Sequence, residues 1–501
     1  MFVAPDPGLF RLRISLRAVL GVALAVVAAQ ACGLSLVASI VGGLAALLAL
    51  FTVTDSTVRA QALTTALLPV AGFPVLALAT TLHGQPQLRD AAFVAVVFCG
   101  VYARRWGPRG HALGIFAFMD FFSTQFLHAV PAQLPELYAA VLLALVAAAA
   151  TRFVLWPIER RTPPAAAPPA LPGTGLARAT TRQAVQAAAA SAVALVVGQV
   201  LSDERWYWAV GTVWWIFVNT TSRGETLVRG FRRVLGTVVG IVFGVLIAIP
   251  LHGAPAPTAV LVAVCIFGIF YTAAVSYSWM MLAVTVMASS LYGLLGVLDA
   301  GLLVLRVAET GVGAVFAALA VALVLPITTH ATNHAWIQRA LHSMHAATAE
   351  AIARLAGDRE GDPAPHAAEL ELLLGRVRMA LAPLLHPLNP FRARKARARR
   401  VIELLDDCAR EVRGLVAVAA DPAAAHDSRL AAACWRVEEA VEALTADELG
   451  CCRVAAQAHG ETPHEERGEP ALVHLHGLEK ALAELATPLG SSPRDPLVPA
   501  A

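Results

Sequence analysis

Apolar runs as long as a bilayer is thick recur through the first two thirds of this chain, and no soluble fold offers room for so many. Stretches of roughly 16 to 22 apolar residues, the length a helix needs to cross the hydrocarbon core, fall near 14–32, 35–53, 60–82, 91–103, 111–128 and 137–157. A second set falls near 183–201, 206–219, 230–251, 258–274, 279–297 and 303–327. The chain of 501 residues is 57% hydrophobic and 15% charged, with a mean hydropathy of +0.65, which sets it apart from ordinary globular domains. The expectation is an all-α, polytopic membrane protein with about twelve spans.

The two sets read as copies of about six spans each. Val58-Arg59 enters the third span as Val228-Arg229 enters its counterpart, and Leu155-Trp156-Pro157-Ile158 closes the first set as Val324-Leu325-Pro326-Ile327 closes the second. The shared offset is about 170 residues. An even number of spans per copy makes the repeats parallel, related by an axis along the membrane normal. The expected organisation is a first transmembrane repeat over 1–161, a proline- and alanine-rich linker over 162–177, a second repeat over 178–330, and a C-terminal domain over 331–501. That last part changes to amphipathic helices near 334–357, 366–385, 391–419, 428–448 and 470–486. Leu370, Leu373, Leu374, Val377 and Leu381 repeat there at helical spacing, which suits a small cytosolic bundle.

Arginine bias sets the orientation. Arg59, the group Arg104, Arg105 and Arg109, Arg152 to Arg182, and Arg223 to Arg233 all fall on one side, with both termini, while the opposite loops keep little beyond Arg89 and Arg205. Both termini are therefore expected in the cytoplasm of a bacterial inner membrane. Arg11, Arg13 and Arg17 ahead of the apolar run to Cys32 read as an uncleaved first helix. The net charge of +3 is small and nucleic-acid binding is not suggested. No glycine loop followed by Lys-Ser/Thr offers an ATPase engine, and no nucleophile and base pair up as in an enzyme. Cys451, Cys452, His459, His464, His474 and His476 match no zinc spacing, so neither a metal nor a cofactor is expected.

The segment from Trp206 to Gly240 carries the strongest motif. Tyr207-Trp208-Ala209, a polar turn with Arg223 and Thr226, Arg229-Gly230, and Arg233-Val234-Leu235-Gly236-Thr237-Val238-Val239-Gly240 follow one another. With Arg306-Val307-Ala308-Glu309-Thr310-Gly311-Val312-Gly313-Ala314 leading to Pro326, they resemble the fusaric acid resistance type membrane domain. The resemblance is strong over 180–330, weaker in the first half and absent from the tail. It implies a bacterial inner-membrane protein grouped with aromatic carboxylic acid exporters, distantly similar to aluminium-activated malate channels of plants. In the first half Gln61, Thr64, Thr65 and Pro69 stand where the second has its arginines and glycines, so a site between the halves is asymmetric. The large soluble insert many such exporters carry is here a short proline linker, which leaves coupling to a periplasmic adaptor protein open. Assembly with further copies of the chain is open as well.

Candidate residues follow from charge in an apolar setting. Arg59, Arg229 and Arg233, with Trp208 for stacking, are the expected contacts of an organic anion, because guanidinium binds carboxylates bidentately and stays protonated. Membrane anchoring and small-residue helix packing through Gly236, Gly240 and Gly244 are the competing reading. Asp120, in the middle of the fifth span, and Glu309 are the candidates for proton coupling. A hydrogen-bonded structural acid at Asp120, and an internal pair of Arg306 with Glu309 three residues on, are the alternatives. Trp206 and Trp208 are expected at the outer interface. The cations of Arg392–Arg400 can rest on anionic lipid or pair with Glu403, Asp406 and Asp407. The function expected is efflux of organic or aromatic carboxylates driven by a proton or potential gradient. An anion-selective channel and a non-transporting membrane scaffold are the rivals.

Overall fold

The computed structural model describes residues 9–154, 175–220, 222–251, 253–325, 329–355, 361–385, 392–420, 428–445 and 470–490. The linker up to Thr174, Leu155–Ile158, Pro326-Ile327, and Cys451, Cys452, His459 and His464 lie outside them. Among the described residues every regular element is helical. The chain divides into two units, Met1–Ile327 and Thr328–Ala501.

The first unit holds twelve α-helices among its described residues. They are α1 (Phe10–Ala31), α2 (Leu36–Thr52), α3 (Val58–Thr81), α4 (Pro86–Tyr102), α5 (Gly107–Leu127) and α6 (Leu134–Val154), then α7 (Ala179–Leu201), α8 (Tyr207–Phe217), α9 (Arg223–Phe243), α10 (Pro255–Ala273), α11 (Tyr277–Leu294) and α12 (Ala300–Leu323). Polar caps set several starts. Thr57 accepts from Ala60 N at 3.2 Å, Ser222 from Glu225 N at 3.4 Å and Asp299 from Leu302 N at 2.7 Å, each satisfying an N–H left free by the first turn.

Eight of the twelve are long and apolar enough to cross a membrane: α1, α3, α6, α7, α9 with its continuation to Ala248, α10, α11 and α12. The remaining four account for the difference from the span count read off the sequence. With 17 residues α2 reaches about 26 Å, and with 11 residues α8 reaches only about 17 Å, short of a core about 30 Å thick. Both are buried along most of their length, as is α5. Helices screened from lipid by their neighbours need neither full length nor a uniformly apolar surface.

A short helix inside an apolar body must satisfy its C-terminal carbonyls by side chains. Arginines do this at both interior helices. Arg152, buried on α6, donates to the carbonyls of Val53, Ala49 and Leu50 at 2.6, 3.0 and 3.2 Å, closing the end of α2. Arg104 donates to Phe217 O at 3.2 Å and Thr220 O at 3.1 Å, with Gln183 Nε2 on Thr220 O at 2.7 Å, closing the end of α8. Arg152→Ala leaves three carbonyls of α2 without these donors. At about 1.5–3 kcal/mol for a hydrogen bond to a charged group, it lowers the thermal midpoint of the purified protein by well over ten degrees. An unchanged midpoint would make Arg152 a surface anchor.

The packing pattern recurs from one half to the next. In the first, α1 lies on α2 and α6, α2 on α6, and α3 on α5. In the second, α7 lies on α8 and α12, α8 on α12, and α9 on α11. Contacts between halves are reciprocal, α4 on α7 and α10 on α1. Helix starts give a different register from the sequence motifs. Thr57 and Ser222 are the N-caps of α3 and α9, so Arg59 sits in the first turn of its helix and Arg229 well inside its own. The two arginines therefore do not occupy equivalent positions.

Glycines bring α9 against α11. A Cβ on Gly236 would stand 2.6 Å from Ser278 O, on Gly240 2.7 Å from Thr285 Cβ, and on Gly244 2.8 Å from Ser289 Oγ. The small-residue reading of that face is therefore correct. In the first half Gly72 of α3 receives Phe116 and the Asp120 carboxylate of α5 in the same manner.

The second unit has five helices among its described residues, α13 (Thr329–Leu355), α14 (Ala364–Leu385), α15 (Arg392–Ala419), α16 (Ser428–Thr445) and α17 (Pro470–Gly490). The stripe Leu370, Leu373, Leu374, Val377 and Leu381 is buried as its spacing predicts. Of the tail acids expected to hold the basic stretch, Glu403 lies 4.0 Å from Arg400, which also pairs with Glu484, while Asp406 pairs with Arg378 and Asp407 with Arg410.

Candidate functional site

Where the two halves face each other, α2, α5, α8, α9, α10 and α11 enclose a cavity of about 100 Å³. The first half contributes Leu44, Leu47, Leu48 and Phe51 from α2, and Met119, Phe122, Ser123 and Phe126 from α5. The second contributes Trp208, Trp215 and Arg233, with Met280, Met281 and Met287 of α11. Aromatic contacts stiffen one wall: Phe122 meets Trp208 edge-on at 5.0 Å, Phe126 lies 4.9 Å from Tyr292, and Phe118 stacks on Trp214 at 4.2 Å. Methionine sulfurs on the facing wall are polarizable and adapt to varied shapes.

One charge enters this apolar space. Arg233 is 3% exposed and is the single charged side chain among the described lining residues. Its Nη1 donates to the Met281 thioether at 2.6 Å, a weak acceptor, and its Nε has no hydrogen-bond partner among the described residues. A guanidinium taken out of water on those terms is under-satisfied by several kcal/mol. The arrangement suits a ligand that brings an anionic group to Arg233 and an apolar body to the aromatic and thioether walls.

The other expected contacts separate from it. Arg229, one turn earlier and half-buried, donates from Nε to Trp215 O at 2.9 Å and lies 3.9 Å over the Tyr277 ring. It ties the start of α9 to the end of α8 and to α11. Arg223, Arg232 and Arg59 are exposed. Trp208 lines the cavity, and its Nε1 donates to Tyr292 Oη at 2.7 Å. Trp206 and Trp208 are 3% and 7% exposed, so neither stands free at an outer interface; α8 is drawn into the core by packing on α7 and α12.

The two candidate acids are both buried. Asp120, 3% exposed, follows the cavity residue Met119 on α5, and its Oδ2 has no hydrogen-bond partner among the described residues. Glu309 on α12 is fully buried, and neither of its carboxylate oxygens has such a partner. Arg306 and Glu309, read from the sequence as an internal pair, make no hydrogen bond to each other. Arg306 instead places its guanidinium 3.7 Å over the Trp208 ring, because the flank of α12 that meets α8 offers it an indole face. Sequence reasoning missed this stack, which joins residues on two helices far apart in the chain. The thioether wall was missed too, methionines being scattered singly through α11.

Eight helices of membrane-spanning length and composition around such a core make this a polytopic α-helical membrane protein. Residues 192–320, from within α7 to within α12, match the family model described as Fusaric acid resistance protein-like. The match lies in the second half and leaves the first half and the C-terminal unit outside it. No curated protein shows significant similarity to the chain. The matched family and the apolar helices together point to a membrane transporter.

Proposed function

We propose that the chain exports organic carboxylates, aromatic ones above all, from a bacterial cytoplasm across the inner membrane. The observation that carries this reading is the Arg233 guanidinium, buried in an apolar cavity with a thioether as its hydrogen-bond acceptor among the described residues. Carboxylate recognition by a guanidinium is bidentate and strongest where water is absent. An aryl group suits Trp208, Phe122 and Phe126. On this reading α1–α6 and α7–α12 are parallel repeats, which the recurring helix contacts support, and the cavity lies on their pseudo-twofold. The arginine bias places both termini and the C-terminal bundle in the cytoplasm.

Energy comes from a proton or potential gradient, with Asp120 the coupling acid. It follows the cavity residue Met119 on α5, is buried, and has one carboxylate oxygen without a partner among the described residues. Asp120→Asn removes the pH dependence of flux in liposomes while leaving substrate affinity within about threefold, a difference under 1 kcal/mol. A pH profile identical to wild type would take Asp120 out of the mechanism.

The reading as a whole is tested by reconstituting purified protein in liposomes and measuring benzoate and related carboxylate fluxes under imposed gradients. Saturable, gradient-driven flux supports a carrier. Single-channel currents would make the protein an anion channel, and neither activity over a broad anion panel would make it a scaffold.

A further inference from the structure

Two buried guanidinium groups lie near the Trp208 indole. Toward the cavity it shares the lining with Arg233, and against its ring lies the Arg306 guanidinium at 3.7 Å. Arg306 is 3% exposed, with Nε and Nη1 lacking hydrogen-bond partners among the described residues. A cation–π contact offsets only part of the cost of burying a guanidinium. The indole is held at its edge by Tyr292, whose Oη accepts from Trp208 Nε1 at 2.7 Å and lies 3.1 Å from Tyr207 Oη. Gly313 fixes α12 against α8, since a Cβ there would stand 2.7 Å from Thr212 Cβ. Arg306, two turns earlier on α12, is thereby set against Trp208.

We infer that Arg306 is a second anion station, and that displacement of the Trp208 indole passes a carboxylate between Arg233 and Arg306. This rests on the carboxylate transport proposed above. The anionic head moves from one guanidinium to the next while its aryl body stays against aromatic side chains. An acid lies near the station on the same helix. Glu309 is three residues along α12, a spacing at which an acid can pair with an arginine, and both its oxygens are unpartnered among the described residues. Glu309 makes no hydrogen bond to Arg306, whose guanidinium rests on the indole, so a carboxylate arriving at Arg306 displaces no ion pair. A charge that travels in this way crosses the apolar core without an unpaired step at the indole.

Two experiments on the full chain test the inference. In crystals soaked in bromide, anomalous density is expected at Arg233 and, separately, at Arg306 behind the indole. Arg306→Gln loses the second peak and keeps the first. In liposomes the same variant lowers benzoate flux at least tenfold, while benzoate binding to the detergent-purified protein stays within about threefold because the first station is intact. Arg306→Lys, which keeps a cation, recovers part of the flux and serves if the glutamine variant does not fold. No bromide at Arg306 in the wild type, or wild-type flux in Arg306→Gln, would overturn the station. Bromide at both guanidinium groups together with no benzoate flux in the wild type would leave the station standing and remove carboxylate transport.

Discussion

Arg233→Gln is expected to weaken benzoate binding by ten- to a hundredfold while leaving the protein as stable as wild type, or more so. A hydrogen bond to a charged group contributes about 1.5–3 kcal/mol, and each 1.4 kcal/mol is about tenfold in affinity. Among the described residues that guanidinium has the Met281 thioether and a partnerless Nε to offset its burial, so a neutral side chain there relieves a cost. Arg233→Lys keeps the charge without the fork and falls between the two. The opposite split is expected one turn away. Arg229→Gln removes the donor to Trp215 O and the cation over Tyr277, so it lowers the melting temperature and changes affinity little. Equilibrium binding and thermal denaturation of the two variants, measured side by side, check this. If Arg229→Gln lost affinity and Arg233→Gln lost stability, the roles would be reversed.

Gly240→Leu is expected to abolish the folded membrane unit. A first carbon at Gly240 already meets Thr285 Cβ at 2.7 Å and the Leu282 carbonyl at 3.0 Å, and a backbone carbonyl cannot turn aside. Overpacking of this kind costs about 1–3 kcal/mol even where side chains can adjust. Here a branched side chain would drive α9 off α11, and with it Arg233 off Met281. The monodisperse peak in detergent gel filtration should fall to a small fraction of wild type. Gly311→Ala, at a glycine with nothing within 4 Å of its added carbon, should behave as wild type. A normal peak from Gly240→Leu would mean that α9 and α11 are not held together through this face.

Much of this architecture is legible from residues alone, because lipid makes the signal simple. Apolar length places α1, α7 and α12, and the stripe from Leu370 to Leu381 places a buried face of the second unit. Asp120 reads as buried because Phe118, Met119, Phe121 and Phe122 surround it. Interior helices are harder, since α8 and α2 are apolar for the same reason a span is, and only packing shows that they fall short. The arginine cluster could have been resolved further from spacing. Arg229, Arg233, Gly236, Gly240 and Gly244 fall along one face of α9, and Arg232 does not. That face is the one that meets α11, which separates Arg233 from its exposed neighbour. Motif matching misled at Arg59, where a shared Val-Arg pair outweighed the N-caps Thr57 and Ser222 that mark the true helix starts. The stack of Arg306 on Trp208 has no local signal. It depends on α12 meeting α8 at Gly313, a contact between segments about a hundred residues apart.

On the proposed function an organic anion crosses the membrane by way of the Arg233 guanidinium. Gradient-driven uptake of radiolabelled benzoate into liposomes, with wild type and Arg233→Gln at equal protein content, tests it most directly. Saturable uptake is expected from the wild type, reduced at least tenfold in the variant while detergent gel filtration shows both equally folded. Uptake by Arg233→Gln at the wild-type rate, or none by either protein, would contradict it.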